Sequence, residues 1–216
     1  MNLRNISLRE RKHAETKIAL LKILQGKLVK RQFDEIPVKE LCEEVLISDV
    51  TFFNYFPSKN DLLIYYIQIW SLEMSYKTKK HLIDKGALKE IEYIFDNAAE
   101  VTEKVPNLMS EIIAFITRNF NTIRFGKISN AEKIIAFPDL PEIEKFEPVN
   151  LNDLFSDRIK RAIELKELPT NTDIEILTFS LISIFFGVPI GWTKLDPARI
   201  KNLYRYNLDL ILKGIK

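Results

Sequence analysis

The sequence predicts an all-α fold with about nine helices, and three observations support this prediction. Apolar residues recur at spacings of three and four along most of the chain, which is the period of a helix. Glycine is scarce, with 6 among 216 residues, which disfavours a strand-rich fold with many tight turns. No segment alternates apolar and polar residues in the way that a half-buried strand would.

A long amphipathic helix is predicted near the start, over residues 9–31. Its apolar stripe consists of Ala14, Ile18, Leu21, Leu24 and Leu28. Residues 1–31 contain nine cations and two carboxylates, a net charge of +7, whereas residues 32–62 have a net charge of −5. A basic segment of this kind suits a phosphate backbone, and it is equally typical of a solvated helix face.

Two short helices follow, and with the first they form a predicted helix-turn-helix. Pro37 fits the first turn of the second helix, and Ser48 is a candidate N-cap for the third. Phe52 and Phe56 are four residues apart in the third helix, so both can face the core. The inner face of the second helix consists of Val38, Leu41, Cys42 and Val45.

The free face of the third helix is the candidate functional surface. With Phe52 and Phe56 turned inward, the residues left on it are Asp49, Val50, Thr51, Asn54 and Tyr55. Small and hydrogen-bonding groups of this kind suit base edges and phosphates in the major groove of DNA. A small helical subdomain with an ordinary polar surface would show the same pattern.

Six further helices are predicted after the helix-turn-helix. They span residues 59–81, 87–104, 107–124, 150–167, 172–187 and 197–213. Residues 58–61 resemble a capping box at the start of the first of these helices. The helix from 172 would either end at 187 or extend to 192 with a kink at Pro189, and Gly214 is expected to stop the last helix. Residues 126–149 contain three prolines, so this stretch is expected to be broken or partly looped.

The residue types that enzymes use are sparse. The two histidines, His13 and His81, lie in no recognised metal-ligand spacing, and Cys42 lies on the predicted inner face of its helix. Neither a glycine-rich phosphate loop nor a Gly-x-Ser-x-Gly motif occurs. We therefore expect no catalytic activity, no metal and no cofactor.

Cysteine usage and hydropathy predict a cytoplasmic protein. A single cysteine excludes an intrachain disulfide, and the polar first residues predict no secretory signal. The uncharged stretch 176–193 reaches the lower length limit of a membrane span, but hydroxyl and glycine residues dilute it. We expect it to be a buried helix in a core or an interface rather than a membrane span.

The segment FDEIPVKELCEEVLISDVTFFNYFPSKNDLL, residues 33–63, resembles the DNA-binding domain of the TetR (tetracycline repressor-like) family of transcriptional regulators. The family pattern has a phenylalanine, a Thr or Val that opens the second helix, a small-residue turn, Ser-x-x-Thr-aromatic-aromatic, a further Phe, and Lys-x-x-Leu. The positions in register include Thr51, Phe52, Phe53, Tyr55, Phe56, Lys59, Leu62 and Leu63. The segments FSDRIKRAIELKEL and DIEILTFSLISIFFG resemble the family's C-terminal domain more loosely.

Three positions depart from the family pattern. Gln32 and Leu46 stand where the family usually has glycine, and Leu46 is expected to force a slightly different turn. Phe53 stands where the family often has tyrosine, so a phosphate hydrogen bond is lost. The operator sequence of other members therefore does not carry over.

The resemblance implies specific DNA contacts. Asp49, Val50, Thr51 and Asn54 would approach base edges, while Tyr55 and Lys59 would contact phosphates. Val38 would lie near the DNA backbone, and Arg4, Arg9, Arg11 and Lys12 would add phosphate or minor-groove contacts. The full implied set of DNA-binding residues is Val38, Ser48, Asp49, Val50, Thr51, Phe53, Asn54, Tyr55 and Lys59.

The resemblance also implies a small-molecule effector bound in the C-terminal domain. Tyr66, Trp70, Phe95 and Phe115 could line an apolar pocket, with Arg118 and Asn119 holding a polar ligand group. Aromatic residues at helical spacing are, however, more often plain core. The last two helices carry more apolar surface than one chain would cover, which predicts a homodimer.

Together these inferences predict two domains and one function. Residues 1–60 would be the helix-turn-helix domain, and residues 61–216 the effector-binding and dimerisation domain. The predicted function is a transcriptional regulator that binds a pseudo-palindromic operator in double-stranded DNA and is released, as a repressor, by its effector. The alternative is a helical protein-interaction module that does not bind DNA.

Overall fold

The architecture is given by a computed structural model that describes residues 6–119, 125–192 and 198–215. Within these ranges the chain forms ten α-helices and three 3-10 turns, and no strand occurs in them. The helices are α1 (Leu8–Leu28), α2 (Val38–Val45), α3 (Asp49–Tyr55), α4 (Asp61–His81), α5 (Ala87–Lys104), α6 (Pro106–Asn119), α7 (Asn130–Ala136), α8 (Leu151–Glu164), α9 (Ile174–Trp192) and α10 (Ala198–Ile215). The all-α prediction is confirmed, and the expected count of about nine is close.

The chain divides into two compact units. Unit 1 comprises Met1–Glu73 and Glu111–Pro148, and unit 2 comprises Met74–Ser110 and Val149–Lys216. Helices α4 and α6 contribute residues to both units. The boundary predicted between residues 60 and 61 separates a DNA-binding from an effector-binding domain. It stays a prediction.

Helix α1 provides the central apolar stripe of unit 1. A capping box starts the helix: the Ser7 amide donates to Glu10 Oε2 at 3.1 Å, and the Glu10 amide donates to Ser7 Oγ at 3.2 Å. The predicted stripe of Ala14, Ile18, Leu21, Leu24 and Leu28 is buried throughout, as is Leu20. The 3.6-residue period therefore located the inner face of this helix correctly.

The turn between α2 and α3 has a left-handed residue at its centre. Leu46 has φ 59° and ψ 45°, and the Ile47 amide donates to the Cys42 carbonyl at 3.0 Å, which is the Schellman pattern of helix ends. The turn is thus built in the geometry that glycine adopts most easily, although leucine occupies it. Ser48 caps α3 as predicted, because its Oγ accepts from the Thr51 amide at 3.1 Å.

Helix α7 lies in the proline-containing stretch that was expected to be broken or partly looped. A second capping box starts it, with the Glu132 amide donating to Ser129 Oγ at 3.2 Å and the Ser129 amide to Glu132 Oε2 at 2.9 Å. The helix packs against α1. Lys133 is 1% exposed, and its ammonium donates to the Phe146 carbonyl at 2.6 Å and to the Glu147 carboxylate at 2.5 Å.

Four helices, α5, α8, α9 and α10, form the body of unit 2. An aromatic cluster lies at its centre, where the Phe95 ring stacks on Phe155 at 5.3 Å and meets Tyr204 edge-on at 5.0 Å. The Tyr204 hydroxyl donates to the Phe185 carbonyl at 2.7 Å, which satisfies its polar group inside the core.

The start of α5 is capped by a distant residue. Gly86, immediately before the helix, has φ 94°, a conformation that L side chains rarely adopt. The Glu167 carboxylate accepts from the Ala87 amide at 2.8 Å and from the Leu88 amide at 3.1 Å. A carboxylate at this position complements the positive end of the helix dipole.

The last two helices differ from their predicted bounds at one end. Helix α10 continues to Ile215, so Gly214 does not stop it as expected, and Pro197, the expected first residue, lies outside the described ranges. Helix α9 reaches Trp192 with Pro189 inside it. Within the described ranges, one helical segment, Ile174–Gly191, is long and apolar enough to cross a membrane by length and composition.

Candidate nucleic-acid interface

Helix α3 presents one face to solvent. Asp49, Val50, Phe53 and Asn54 are exposed, whereas Phe52 and Phe56 are buried as predicted. The Phe52 ring packs edge-on against Phe53 at 5.3 Å and is tilted against Phe56 at 5.8 Å. The burial of Phe52 and Phe56 fixes the rotation of the helix, so that mixed apolar and polar side chains point outward.

Thr51 and Tyr55 belong to a different face of α3, one that is partly covered. The Thr51 hydroxyl lies 2.9 Å from Ser48 Oγ, within the cap. The Tyr55 ring meets the His13 ring of α1 edge-on, with 4.4 Å between centroids and 82° between planes. The sequence predicts that both side chains lie on the free face of α3. In the structure both are half-buried.

A groove of about 1000 Å³ lies beside α3. Cations from α1, Arg9 and Lys12, line it, and Asn54 lines it from α3. The described residues that line it are Leu8, Arg9, Glu10, Lys12, His13, Thr51, Asn54, Tyr55, Ser129 and Glu132. Exposed cations beside hydrogen-bonding side chains are the arrangement that holds a sugar-phosphate strand against a recognition helix. Arg11 of the implied set is also exposed, whereas Arg4 lies outside the described ranges.

Glu132, which lines the groove, belongs to a buried ion pair. The Lys17 ammonium contacts the Glu132 carboxylate, and the side chains are 13% and 3% exposed. The same ammonium lies 4.3 Å from the centroid of the Tyr65 ring, a cation–π contact. Burial alone would raise the pKa of Glu132, but hydrogen bonds from Lys17 and Ser129 outweigh it and hold that pKa below its ordinary value.

The acidic charge of α2 is largely neutralised within unit 1. Lys27 contacts the carboxylates of Glu40 and Glu44, and Arg31 Nη1 lies 2.7 Å from Glu40 Oε1. The hydrogen bond from Lys27 lowers the pKa of Glu40, with a further contribution from Arg31. Lys17, Lys27 and Arg31 therefore bind carboxylates of their own unit, whereas Arg9 and Lys12, in the first two turns of α1, are exposed beside the groove.

Lys59 has a partner inside the protein. Its ammonium donates to the Phe33 carbonyl and lies 4.0 Å from the centroid of the Phe33 ring. Burial is the main cause that lowers the pKa of Lys59. The phosphate contact expected for Lys59 stays a prediction, and the side chain also ties the segment before α2 to the start of α4. Val38, half-buried at the first residue of α2, likewise keeps its predicted role as a prediction.

Comparison with solved structures defines the fold. FadR of Thermus thermophilus, a TetR-family transcriptional repressor solved in complex with lauroyl-CoA, is 21% identical, with 93% of this chain and 95% of that chain covered and a TM-score of 0.63. The ketosteroid transcriptional regulator KstR2 of Mycobacterium tuberculosis is 13% identical over 93% and 94% of the two chains, with a TM-score of 0.54. A TetR transcriptional regulator from Rhodococcus sp. RHA1 is 14% identical over 96% and 99%, with a TM-score of 0.52.

The chain has the TetR fold. The likeness spans nearly the whole of each chain, so it extends beyond the helix-turn-helix segment that the sequence resemblance covers best. No profile of a known protein family matches the sequence, and no curated protein does. At identities of 13–21% the three-dimensional likeness establishes the architecture alone.

The residues expected to line an effector pocket are distributed over both units of the TetR fold. Tyr66, Trp70 and Phe115 belong to unit 1, and Phe95 lies fully buried in the aromatic cluster of unit 2. For Phe95 the described contacts match the alternative of plain core. Arg118 is exposed, and the Asn119 side-chain amide donates to the Phe115 carbonyl at 2.9 Å. None of the six lines the groove beside α3.

Sequence reasoning missed the contribution of α7 to this surface. Ser129 and Glu132 line the groove, yet the stretch that contains them was expected to be broken or partly looped. The Ser-Asn-Ala-Glu sequence at 129–132 is a capping-box pattern, so a helix start was readable there. Its packing against α1 had no local signal, because 112 residues separate Lys17 from the Ser129 cap.

Proposed function

We propose that the protein is a sequence-specific, DNA-binding transcriptional regulator without catalytic activity, a repressor that a small-molecule effector releases from its operator. The observation that carries the proposal is the exposed face of α3, set by the buried Phe52 and Phe56, beside a groove lined by Arg9 and Lys12. Phosphate contacts would come from the groove, and base contacts from the exposed face. One structural neighbour, FadR of Thermus thermophilus, is a transcriptional repressor, which supports the same function.

Selection of binding sites from a random pool of duplex DNA tests this proposal. We expect a pseudo-palindromic motif and an affinity that falls steeply as salt rises, because counterions are released from phosphates. A protein-interaction module, which is the alternative, would enrich no motif. A pool that stays random after repeated rounds therefore contradicts the proposal.

We further propose that the regulator is a homodimer formed through α9 and α10. Ile176 and Phe179 of α9 and Tyr206 and Leu210 of α10 are exposed, and Phe179 is 71% exposed. A patch of this apolarity on the surface of a unit is typical of an oligomer interface. Dimerisation through α9 and α10 would bury the apolar surface of α9. A two-fold dimer would also match a pseudo-palindromic operator.

The effector is proposed to bind near the aromatic residues Tyr66, Trp70 and Phe115, with Arg118 and Asn119 holding its polar group. The FadR neighbour was solved with lauroyl-CoA, so a series of acyl-CoA chain lengths is the first set of probes. Binding near Trp70 should change indole fluorescence in the wild type and not in Trp70→Phe. An unchanged spectrum with every acyl-CoA, together with unchanged operator affinity, would exclude this ligand class.

A further inference from the structure

Three apolar side chains are exposed together at the tip of the helix-turn-helix. Leu46 is 91% exposed, Val50 is 71% exposed and Phe53 is 49% exposed. Val50 and Phe53 are three residues apart on α3, so they share a face, and Leu46 lies in the turn that precedes the helix. Exposed apolar area of this size is unfavourable in water, and burying it against a partner would recover that free energy.

The backbone at Leu46 makes leucine a poor choice for folding alone. Its left-handed φ and ψ are disfavoured for residues with a Cβ atom, whereas glycine adopts them without strain. Glycine would also expose no apolar side chain. Leucine is therefore the less stable choice for the isolated fold on both grounds, and its exposed side chain is a candidate for contact with a partner.

The residues beside Leu46, Val50 and Phe53 indicate the chemistry of the partner. Here the inference rests on the proposed function. Asp49 and Asn54 flank Val50 and Phe53 on the exposed face, so the apolar groups sit among hydrogen-bonding groups. A stable protein interface needs roughly 20–30 residues on each side, which three side chains do not approach. The major groove, in contrast, presents isolated apolar groups between donors and acceptors, and these are the C5 methyl groups of thymine.

We propose that Leu46 and Val50, flanked by Phe53, recognise thymine methyl groups, so that each operator half-site carries thymines opposite the turn and the first turn of α3. Recognition helices enter the major groove with their N-terminal residues. The N-terminal end of α3, which follows Leu46, would therefore lie at the base edges. Specificity at these positions is for the methyl group itself. It differs from the hydrogen-bonding specificity assigned to Asn54.

Deoxyuridine substitution tests the proposal, because it removes the methyl group of thymine and leaves its Watson–Crick edge intact. The selected operator is synthesised with deoxyuridine at one thymine pair of each half-site at a time. We expect at least one position where wild-type affinity falls about three- to fivefold per methyl removed, as for the loss of one buried methyl-sized group. If deoxyuridine has no effect at any position while the motif is still selected, the inference is wrong and the proposed function stands.

Variants at Leu46 connect the effect to this residue. Leu46→Gly and Leu46→Asn both tolerate a left-handed backbone, so we expect urea unfolding midpoints equal to or above that of the wild type. Both should bind the thymine operator more weakly and lose the response to deoxyuridine at one position. Leu165→Ala, at an exposed leucine of unit 2, is the matched control and should keep the full response. A deoxyuridine response that persists unchanged in Leu46→Gly overturns the assignment, and failure of the wild type to select any motif overturns the proposed function together with it.

Discussion

Cys42 shows how burial determines the chemistry of a single residue. The side chain is 2% exposed, and burial, with a hydrogen bond and the charge of Asp49, raises the pKa of its thiol to about 11. The thiol is therefore protonated and shielded at neutral pH. We expect Ellman's reagent at pH 8 to label the native protein only at the rate of unfolding, with full labelling in denaturant. Rapid stoichiometric labelling of the native protein would contradict this account.

His13 should make stability depend on pH. Burial is the largest cause that lowers its pKa, Lys17 and Arg9 lower it further, and Glu132 opposes them. A lowered folded pKa means that the neutral form stabilises the fold above the unfolded value of about 6.5, and that this stabilisation is lost as pH falls below it.

Comparison with His13→Gln isolates this contribution. Urea unfolding free energies are measured for both proteins from pH 5 to pH 7.5, and the stability advantage of the wild type should shrink as pH falls. A difference between the two proteins that is constant over this range would show that His13 does not titrate with folding.

Individual side chains were predictable where a local pattern determines them. Phe52 and Phe56 lie four apart between a serine cap and a proline, so their inward direction followed from spacing alone. Lys59 was assigned from the family resemblance, and its bond to the Phe33 carbonyl could not be predicted because it joins residues 26 apart in the chain.

At the scale of the element, α3 is expected to read sequence through Asn54. Asn54→Ala should cost about 1–3 kcal/mol on the selected operator and much less on random DNA, because asparagine can pair with adenine by two hydrogen bonds. Thr51→Ala should cost less, since its hydroxyl already bonds to Ser48. Quantitative mobility shifts at fixed salt would measure both. Identical motifs selected by wild type and Asn54→Ala would show that this residue does not read bases.

The link between α1 and α7 depends on the buried pair of Lys17 and Glu132. Glu132→Gln leaves the ammonium without its counter-charge in a nearly solvent-free site, which should destabilise unit 1 by about 3–5 kcal/mol. The double variant with Lys17→Met should be more stable than Glu132→Gln alone. Urea denaturation measures both. Glu92→Gln, in the exposed Lys89–Glu92 pair, is the control and should stay within about 0.5 kcal/mol of the wild type.

Helices with a strong apolar period were located from the sequence to within a few residues. The helices that pack against them could not be identified in this way. Helix α1 was predicted over 9–31 and spans Leu8–Leu28, because its stripe and its charged face are both unambiguous. Helix α7 was missed because prolines at 138 and 141 dominated the interpretation, although both follow the helix. Proline marks where a helix ends, so prolines at 138 and 141 are compatible with a short helix upstream of them.

For the whole molecule, the central expectation is the two-fold dimer. Phe179→Glu places a charge in the proposed interface and should yield monomers in sedimentation at micromolar concentration. Leu165→Glu, at an exposed leucine outside α9 and α10, should leave the dimer intact. Operator affinity should fall when dimerisation is lost, because a monomer binds only one half-site and binds it weakly. A wild type that sediments as a monomer at every concentration would contradict the expectation.

The fold class and the helix-turn-helix could be predicted because they depend on local period, caps and a short ordered motif. The grouping of helices into units could not, because it depends on contacts between distant segments. Residues 111–148 join unit 1 although more than 50 residues separate them from the α3 motif. The exposed apolar face of α9 and α10 was foreseen from hydropathy, since apolar residues there exceed what one helix face can bury.

The glycine before α5 has a consequence for how this gene can vary. A Cβ atom at Gly86 would lie 2.0 Å from Glu167 Oε1, and the φ of 94° is itself hostile to any side chain. If Glu167 moved aside to make room, the amides of Ala87 and Leu88 would lose their acceptor. In a saturation mutagenesis library, almost every codon at position 86 should therefore be depleted, and changes at position 167 would not rescue them. Gly26, whose Cβ would meet nothing within 4 Å, should accept alanine readily. Gly86 should therefore be among the positions least tolerant of substitution, and Gly26 among the most tolerant.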